Sequence, residues 1–300
     1  MESSGSPETA ARCEPGHLRR ISKALRTSIA LARHGPPGSP CLPRGGALSV
    51  SPAKIKDTPT TAPQAQAATP AKRRFSLDRL VILDADGTTV DAFAAIADTF
   101  SHHGMQLGEL AKFQKRRHLF KYLGGVKEIP NNLRKQLGKQ QRKALIETLT
   151  QVYREEARLF PGIAELVQAL IAAPRVRVGM VTRNITHQPV ETLRSLFKRH
   201  GIDTGELDFV IHVPLRREKT EHFRATREHF EISPAWSYVC GDERKDFRAA
   251  IGAGMHPFMV SYGFEDHRHL MEKAGVPEEL ISDTPQELAA RLLHALDLDA

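Results

Sequence analysis

The stretch VILDADGTTVD, residues 81–91, sets two carboxylates, Asp84 and Asp86, directly after an apolar run and follows them at once with Gly87. In extended backbone, residues two apart lean to the same side, so both acids can face one crevice. Gly87 permits a tight turn, and the exposed backbone N–H groups that follow, beginning with Thr88, can hold an anion. Two carboxylates alone would repel a phosphate. The arrangement makes chemical sense if a hard cation such as Mg²⁺, held by carboxylate oxygens, neutralises them.

Further groups of the same chemistry recur along the chain. In SYVCGDERKDFRAAIGAG, Asp242 follows an apolar run and Asp246 lies four residues on, one turn into a following helix, so both can turn to the same crevice. The second apolar run ends in GMVTRN, where the hydroxyl and N–H of Thr182 suit a phosphoryl oxygen, with Arg183 beside it as a second candidate for binding phosphate. Lys219 opens the segment KTEHF and can reach the same oxygens as a mobile point charge, with Arg216 and Arg217 as rival cations.

Placing these groups requires strands that end together. Strands are predicted over 79–84, 176–181, 208–211, 236–240 and 257–260, with 280–282 as a short edge; helices are predicted over 163–172, 190–200, 220–230 and 245–253. Short apolar runs separated by amphipathic helices imply an α/β fold with a parallel sheet covered on both faces. Thr284-Pro-Gln-Glu287 offers a capping box to a last helix carrying Leu288, Leu292, Leu293 and Leu296. One segment, 92–160, shows helical pattern only, most clearly over 140–159. It follows the first strand, and ligands of open parallel sheets sit beyond the strands' carboxyl ends, so it reads as a helical cap over the crevice. Trp236 and Phe258 read as core, and Cys240 as a buried strand residue.

Charge is distributed unevenly. The net charge of +8 lies in residues 1–74, which hold twelve Lys/Arg and four Asp/Glu, while the remaining chain is balanced at 31 of each. Those 74 residues are rich in Pro, Gly, Ser, Thr and Ala and read as a disordered basic tail. Glu2, Glu8 and Glu14 argue against an organellar transit peptide. A nucleic-acid arm would lack aromatics for stacking before Phe75, so a nucleic-acid partner is not expected. No apolar run reaches the roughly 18 residues of a membrane span. Three scattered cysteines form neither a disulfide framework nor a zinc site, which with the missing apolar signal region points to the cytoplasm. Within 92–160 there are thirteen Lys/Arg against six Asp/Glu. A basic cover over a metal-bound phosphate would draw in anionic substrates, presented through residues 112–121 or the YLGGVKE turn.

The ordered set DADGTTVDA, Thr182, Lys219 and GDERKDFRAAIGAG, with LFPGIAEL ahead of the second strand, resembles the haloacid dehalogenase superfamily in its phosphoglycolate-phosphatase-like branch. The likeness covers 80–263. It implies a Rossmann-like sheet of order 5-4-1-2-3, with a catalytic core over 75–91 and 161–300 and the cap at 92–160. The resemblance also implies an Mg²⁺-dependent phosphatase in which Asp84 is the nucleophile, forming an aspartyl-phosphate, and Asp86 the general acid and base. Mg²⁺ would be held by the Asp84 carboxylate, the Asp86 carbonyl and Asp242, with Asp246 in or near the shell. Gly87, Thr88, Thr182, Arg183 and Lys219 would face the phosphoryl oxygens of a small phosphorylated metabolite. Dehalogenases lack an acid at the second Asp position, so Asp86 favours phosphoester chemistry. A phosphomutase keeps both acids, and that reading stays open, as does a non-catalytic module using the tail on nucleic acid.

Overall fold

The computed structural model describes residues 75–105 and 139–298. The expectations for 1–74, for 112–121 and for the YLGGVKE turn lie outside the described residues. β1 (Arg79–Leu83), β2 (Val176–Thr182), β3 (Phe209–His212), β4 (Ser237–Gly241), β5 (His256–Val260) and β6 (Ile281–Ser282) form one sheet of order β3-β2-β1-β4-β5-β6. Every neighbouring pair is parallel. This is the expected 5-4-1-2-3 order with β6 added at the edge.

Burial on both faces explains the continuous apolar run 80–83 of β1 and the burial of β4 along its whole length. Val81 and Leu83 of β1 enter one core cluster, and Leu80 and Ile82 enter the other. The first face is covered by α3 (Ile163–Ala172), α4 (Pro189–Arg199) and α8 (Pro285–Ala295), through Leu166, Leu170, Leu193, Phe197, Leu288 and Leu292. The second is covered by α5 (Thr220–His229) and α6 (Arg244–Ala253), through Phe223, Ala249, Ala250 and Ala253. Thr284 caps α8 as expected, accepting from Glu287 N, while the Glu287 carboxylate accepts from Asp283 N instead of from the cap residue itself.

Between β1 and β2 the described chain forms α1 (Ala92–His102) and α2 (Lys139–Glu155) ahead of α3, while α7 (His267–Glu272) follows β5 and packs Leu270 against Met259 and Ile281 at the far end of the sheet. Asp91 caps α1 by accepting from Ala94 N. Ala92, Ala95 and Ile96 of α1 and Leu149, Val152 and Tyr153 of α2 belong to the same core cluster as α3 and α4. The α2 C-terminus is tied to α4: Arg199 donates to the carbonyls of Arg154 at 2.7 Å, Tyr153 at 3.3 Å and Ala157 at 2.6 Å. A guanidinium thus satisfies carbonyls that a helix end leaves without partners.

Several expectations need correction. The helix predicted over 140–159 stops at Glu155, because the chain turns there and Leu159 pairs with Val90 in a bridge beside β1. β3 and β4 each begin one residue later than predicted, since the Asp208 carboxylate accepts from Val178 N and Trp236 ends a 3-10 turn, Pro234–Trp236. Trp236 is not core: it is 44% exposed, with the Arg79 guanidinium 5.4 Å from its ring centroid. Phe258 and Cys240 are buried as expected.

Candidate active site

The predicted groups meet where the carboxyl ends of β1, β2 and β4 converge with the amino ends of α5 and α6. Asp84 leaves β1 as its N–H donates to Cys240 O of β4, and its Oδ1 accepts from Ala85 N at 2.8 Å. Gly87 then turns with φ +84°, and a Cβ there would fall 2.2 Å from Asp242 Oδ2, so both conformation and space require glycine. Across the crevice, a Cβ on Gly263 would lie 2.3 Å from Gly87 O. This close approach brings Phe264 N to donate to Asp242 Oδ2 at 2.7 Å. Asp246 is the third residue of α6, where its carboxylate accepts from Glu243 N in a reciprocal capping box.

Lys219 caps the start of α5 and reaches between two acids, with Nζ 2.7 Å from Asp84 Oδ2 and 2.8 Å from Asp246 Oδ1. It is 2% exposed, so it is a fixed buried charge and not the mobile one expected from sequence. Arg216 and Arg217 are exposed, which removes them as rivals.

Asp84, Asp242 and Asp246 offer oxygens that all lie within 4.8 Å of one another, and all three residues are buried. Three carboxylates face one ammonium, and the imbalance shows in their proton affinities. Burial, with Asp246 nearby, pushes Asp84 up to about 7 even though Lys219 pulls the other way. Burial and the charge of Asp84 hold Asp242 well above the usual carboxylate range. Asp246 goes the other way: burial opposes its charge, but Lys219 and Arg183 outweigh it and keep its carboxyl low. A buried, all-oxygen cluster with surplus negative charge fits a hard divalent cation.

Asp86 sits in a different setting, held by neutral donors. Tyr153 Oη donates to its Oδ1 at 2.8 Å, and Asn184 Nδ2 donates to Oδ1 at 3.0 Å and Oδ2 at 3.1 Å. Burial raises Asp86, and these hydrogen bonds from Asn184 and Tyr153 partly offset the rise. The Tyr153 phenol stays protonated, since burial and the charge of Asp86 raise it well above its ordinary value.

The remaining predicted groups line the same place. Thr182 is fully buried at the end of β2, its hydroxyl accepting from Asn184 N at 3.1 Å. Thr88 is buried with its hydroxyl 3.4 Å from Asp242 Oδ1. Arg183 pairs with Glu243 at 2.7 Å. Sequence reasoning missed Asn184 and Tyr153 as site residues. Asn184 lies two positions beyond Thr182, a spacing that would have flagged it. Tyr153 lies 67 residues from Asp86, and no local pattern joins them.

Residues 81–260 match the family of haloacid dehalogenase-like hydrolases. Over 208 residues the chain is 26% identical to a phosphoglycolate phosphatase of Nitrosospira multiformis, covering 65% of this chain and 88% of that one. Over 107 residues it is 32% identical to a D-glycero-beta-D-manno-heptose-1,7-bisphosphate 7-phosphatase of Pseudomonas putida, covering 34% of this chain and 59% of that one. Among solved structures, CbbY from Rhodobacter sphaeroides in complex with phosphate superposes with a TM-score of 0.51 at 21% identity, covering 74% of this chain and all of that one. This last likeness is one of fold.

Proposed function

The chain belongs to the haloacid dehalogenase-like hydrolases, and from that premise we propose that it is a divalent-cation-dependent phosphatase acting on small, anionic phosphate monoesters. The observation that carries the reading is the pairing of Asp84, in a cluster of charge, with Asp86, two residues on and held by neutral donors. One environment suits a nucleophile beside a cation, the other a proton carrier. The names of the two curated relatives, both phosphatases, support the same class.

In this reading Asp84 attacks phosphorus, forming an aspartyl-phosphate as the bond to the leaving oxygen breaks. Asp86 gives its proton to that oxygen and then takes one from the water that hydrolyses the phosphoenzyme. Lys219 and the Thr182 hydroxyl lie beside the transferring oxygens, where fixed charge and dipoles supply most of the stabilisation in phosphoryl transfer. Mg²⁺ would be held by the Asp84 carboxylate, the Asp86 carbonyl and Asp242, with Asp246 adjacent. When bound, it adds positive charge against the phosphoryl oxygens and offsets the surplus of carboxylates. Gly87, Thr88 and Arg183 complete the phosphate-facing set. Residues 92–160 would cover the site, over a catalytic core formed by 75–91 and 161–300. Their excess of basic residues favours substrates with a second negative group.

The test is a panel of phosphorylated metabolites assayed with Mg²⁺ and with chelator. Turnover of monoesters that disappears on chelation is expected, and no monoester turnover with metal present would sink the reading. Comparing 2-phosphoglycolate with a neutral alkyl phosphate at low salt addresses the substrate class. Equal kcat/KM for the two would show that charge in the cover does not select the substrate.

A further inference from the structure

The hydrogen bonds to Asp86 are unequal, and the difference comes from α2, which enters from outside the sheet. Oδ1 accepts two short bonds, from the Tyr153 phenol at 2.8 Å and the Asn184 amide at 3.0 Å. Among the described residues, Oδ2 accepts only from that same Asn184 nitrogen, shared with Oδ1, at 3.1 Å, so the inequality comes from the Tyr153 phenol. The amide cannot turn its oxygen toward Asp86, because Asn184 Oδ1 already accepts from Thr186 N at 2.9 Å and from the Thr186 hydroxyl. A carboxylate oxygen has two in-plane acceptor positions. Both on Oδ1 are therefore engaged by donors, while Oδ2 keeps capacity for a proton.

Tyr153 is itself held firmly. Its side chain is 2% exposed and belongs to the main core cluster. The helix end that carries it is fastened to α4 by Arg199 and by Arg154 Nε donating to the Thr192 hydroxyl at 3.2 Å, and to the turn before α4 by His187 N donating to the Thr150 hydroxyl at 2.9 Å. Resting on the acid–base role given to Asp86 above, we propose that Tyr153 is a positioning residue that reserves Oδ2 of Asp86 as the oxygen carrying the transferred proton. As the Asp84–phosphorus bond forms and the phosphorus–oxygen bond breaks, the proton passes from Oδ2 to the departing oxygen. It is replaced from the attacking water, and the phenol keeps its own proton throughout. The general acid is thus complete only while α2 is docked on α4.

The test uses Tyr153→Phe in the full chain, which removes one hydroxyl and leaves the ring. Single-turnover rates of phosphoenzyme formation are measured with Mg²⁺ across monoesters whose leaving groups run from 4-nitrophenol to simple alcohols. A poor leaving group needs the proton and a good one hardly does. The expected loss is about tenfold for alkyl esters and about twofold for 4-nitrophenyl phosphate, with KM little changed, against a larger loss of the same slope in Asp86→Asn. Arg199→Gln, which loosens the helix end but keeps the phenol, should steepen the slope by a smaller factor and serves if Tyr153→Phe does not fold. If Asp86→Asn steepens the dependence while Tyr153→Phe and Arg199→Gln lose nothing or lose equally across the series, the positioning role is overturned and the acid–base reading stands. If Asp86→Asn is itself flat, the acid–base role fails and takes the proposal with it.

Discussion

The two ends of the same sheet hold charge in opposite ways. At the amino ends of β1, β2 and β3, Asp78 faces Arg175 at 3.7 Å and Arg177 at 3.3 Å, and Arg177 faces Asp208 at 3.0 Å. The two arginine side chains are 56% and 46% exposed, and acids and bases are matched. At the carboxyl ends, one buried ammonium faces three buried carboxylates. Water screens the first arrangement, so it does little for stability or for chemistry. Among the described residues Lys219 and Arg183 offset Asp246 but leave Asp84 and Asp242 raised, and such an imbalance is retained where a ligand will complete it.

The sharpest way to break the comparison is at Asp84. Asp84→Asn removes the nucleophile with almost no change of volume, so turnover of phosphate monoesters should fall by about three orders of magnitude or more while the fold survives. Steady-state assays with circular dichroism on the same sample check both halves. Near-normal turnover would sink covalent catalysis at this residue. The next largest effect belongs to Lys219. Lys219→Met leaves Asp84 and Asp246 buried without their shared cation, and should lower metal-free stability by about 3–5 kcal/mol in a denaturant melt. A loss below about 1 kcal/mol would mean that solvent or relaxation already compensates the acids.

The end that carries the chemistry was also the more legible one. Asp84, Asp242 and Thr182 follow apolar runs that can only be buried strands, and parallel strands bring their carboxyl ends together. Spacing alone therefore gathers these residues. What the sequence could not convey is depth and pairing. Lys219 looked like one of three cations until the turn before α5 left Arg216 and Arg217 in solvent. Tyr153 escaped notice because a phenol on an amphipathic helix reads as core, which it also is. Its hydroxyl meets Asp86 only through the packing of α2 on α1 and α4, a contact with no local signature. Trp236 shows the reverse failure, since an aromatic next to a strand reads as core until a 3-10 turn carries it out to Arg79.

A gentler test turns the surplus charge into a pH dependence. Asp84 titrates at about 7 in the folded chain against an ordinary 3.8, and Asp242 is raised as well. Between these values the folded chain binds more protons than the unfolded one, so the contribution of these acids to stability is full below about pH 4 and is lost as pH rises toward 7. Asp246, held low, acts only below that window, where its contribution is lost on acidification. In chelator, Tm should therefore fall from pH 5 to pH 7.5, and Mg²⁺ should restore more of it at pH 7.5 than at pH 5. Asp242→Asn should raise metal-free stability at pH 7.5 by about 1–2 kcal/mol and weaken the response to Mg²⁺. A Tm in chelator that does not depend on pH over this range would show that the three acids are balanced without a ligand.

The smallest effect is expected at the other end of the sheet, and it is the control that gives the larger ones meaning. Arg177 joins Asp78 and Asp208 in one exposed network, so Arg177→Gln removes two ion pairs at once. The hydrogen bonds that Arg177 donates to Asp208 and Asp78 raise its proton affinity further, but that group is always charged in the range where proteins fold, so no pH dependence follows. Asp208 keeps a reason to stay where it is, because its other oxygen accepts from Val178 N at 2.9 Å, a bond the substitution leaves in place. Each lost pair was screened by solvent and offset by the entropy of ordering a long side chain. The expected change is therefore about 0.5 kcal/mol or less, shrinking further in 0.5 M salt, with kcat and KM unaltered. A loss of 2 kcal/mol or more would mean that the amino-end network is a structural clamp on β1, β2 and β3, and the contrast between the two ends would then be one of solvent exposure and not of energetic weight.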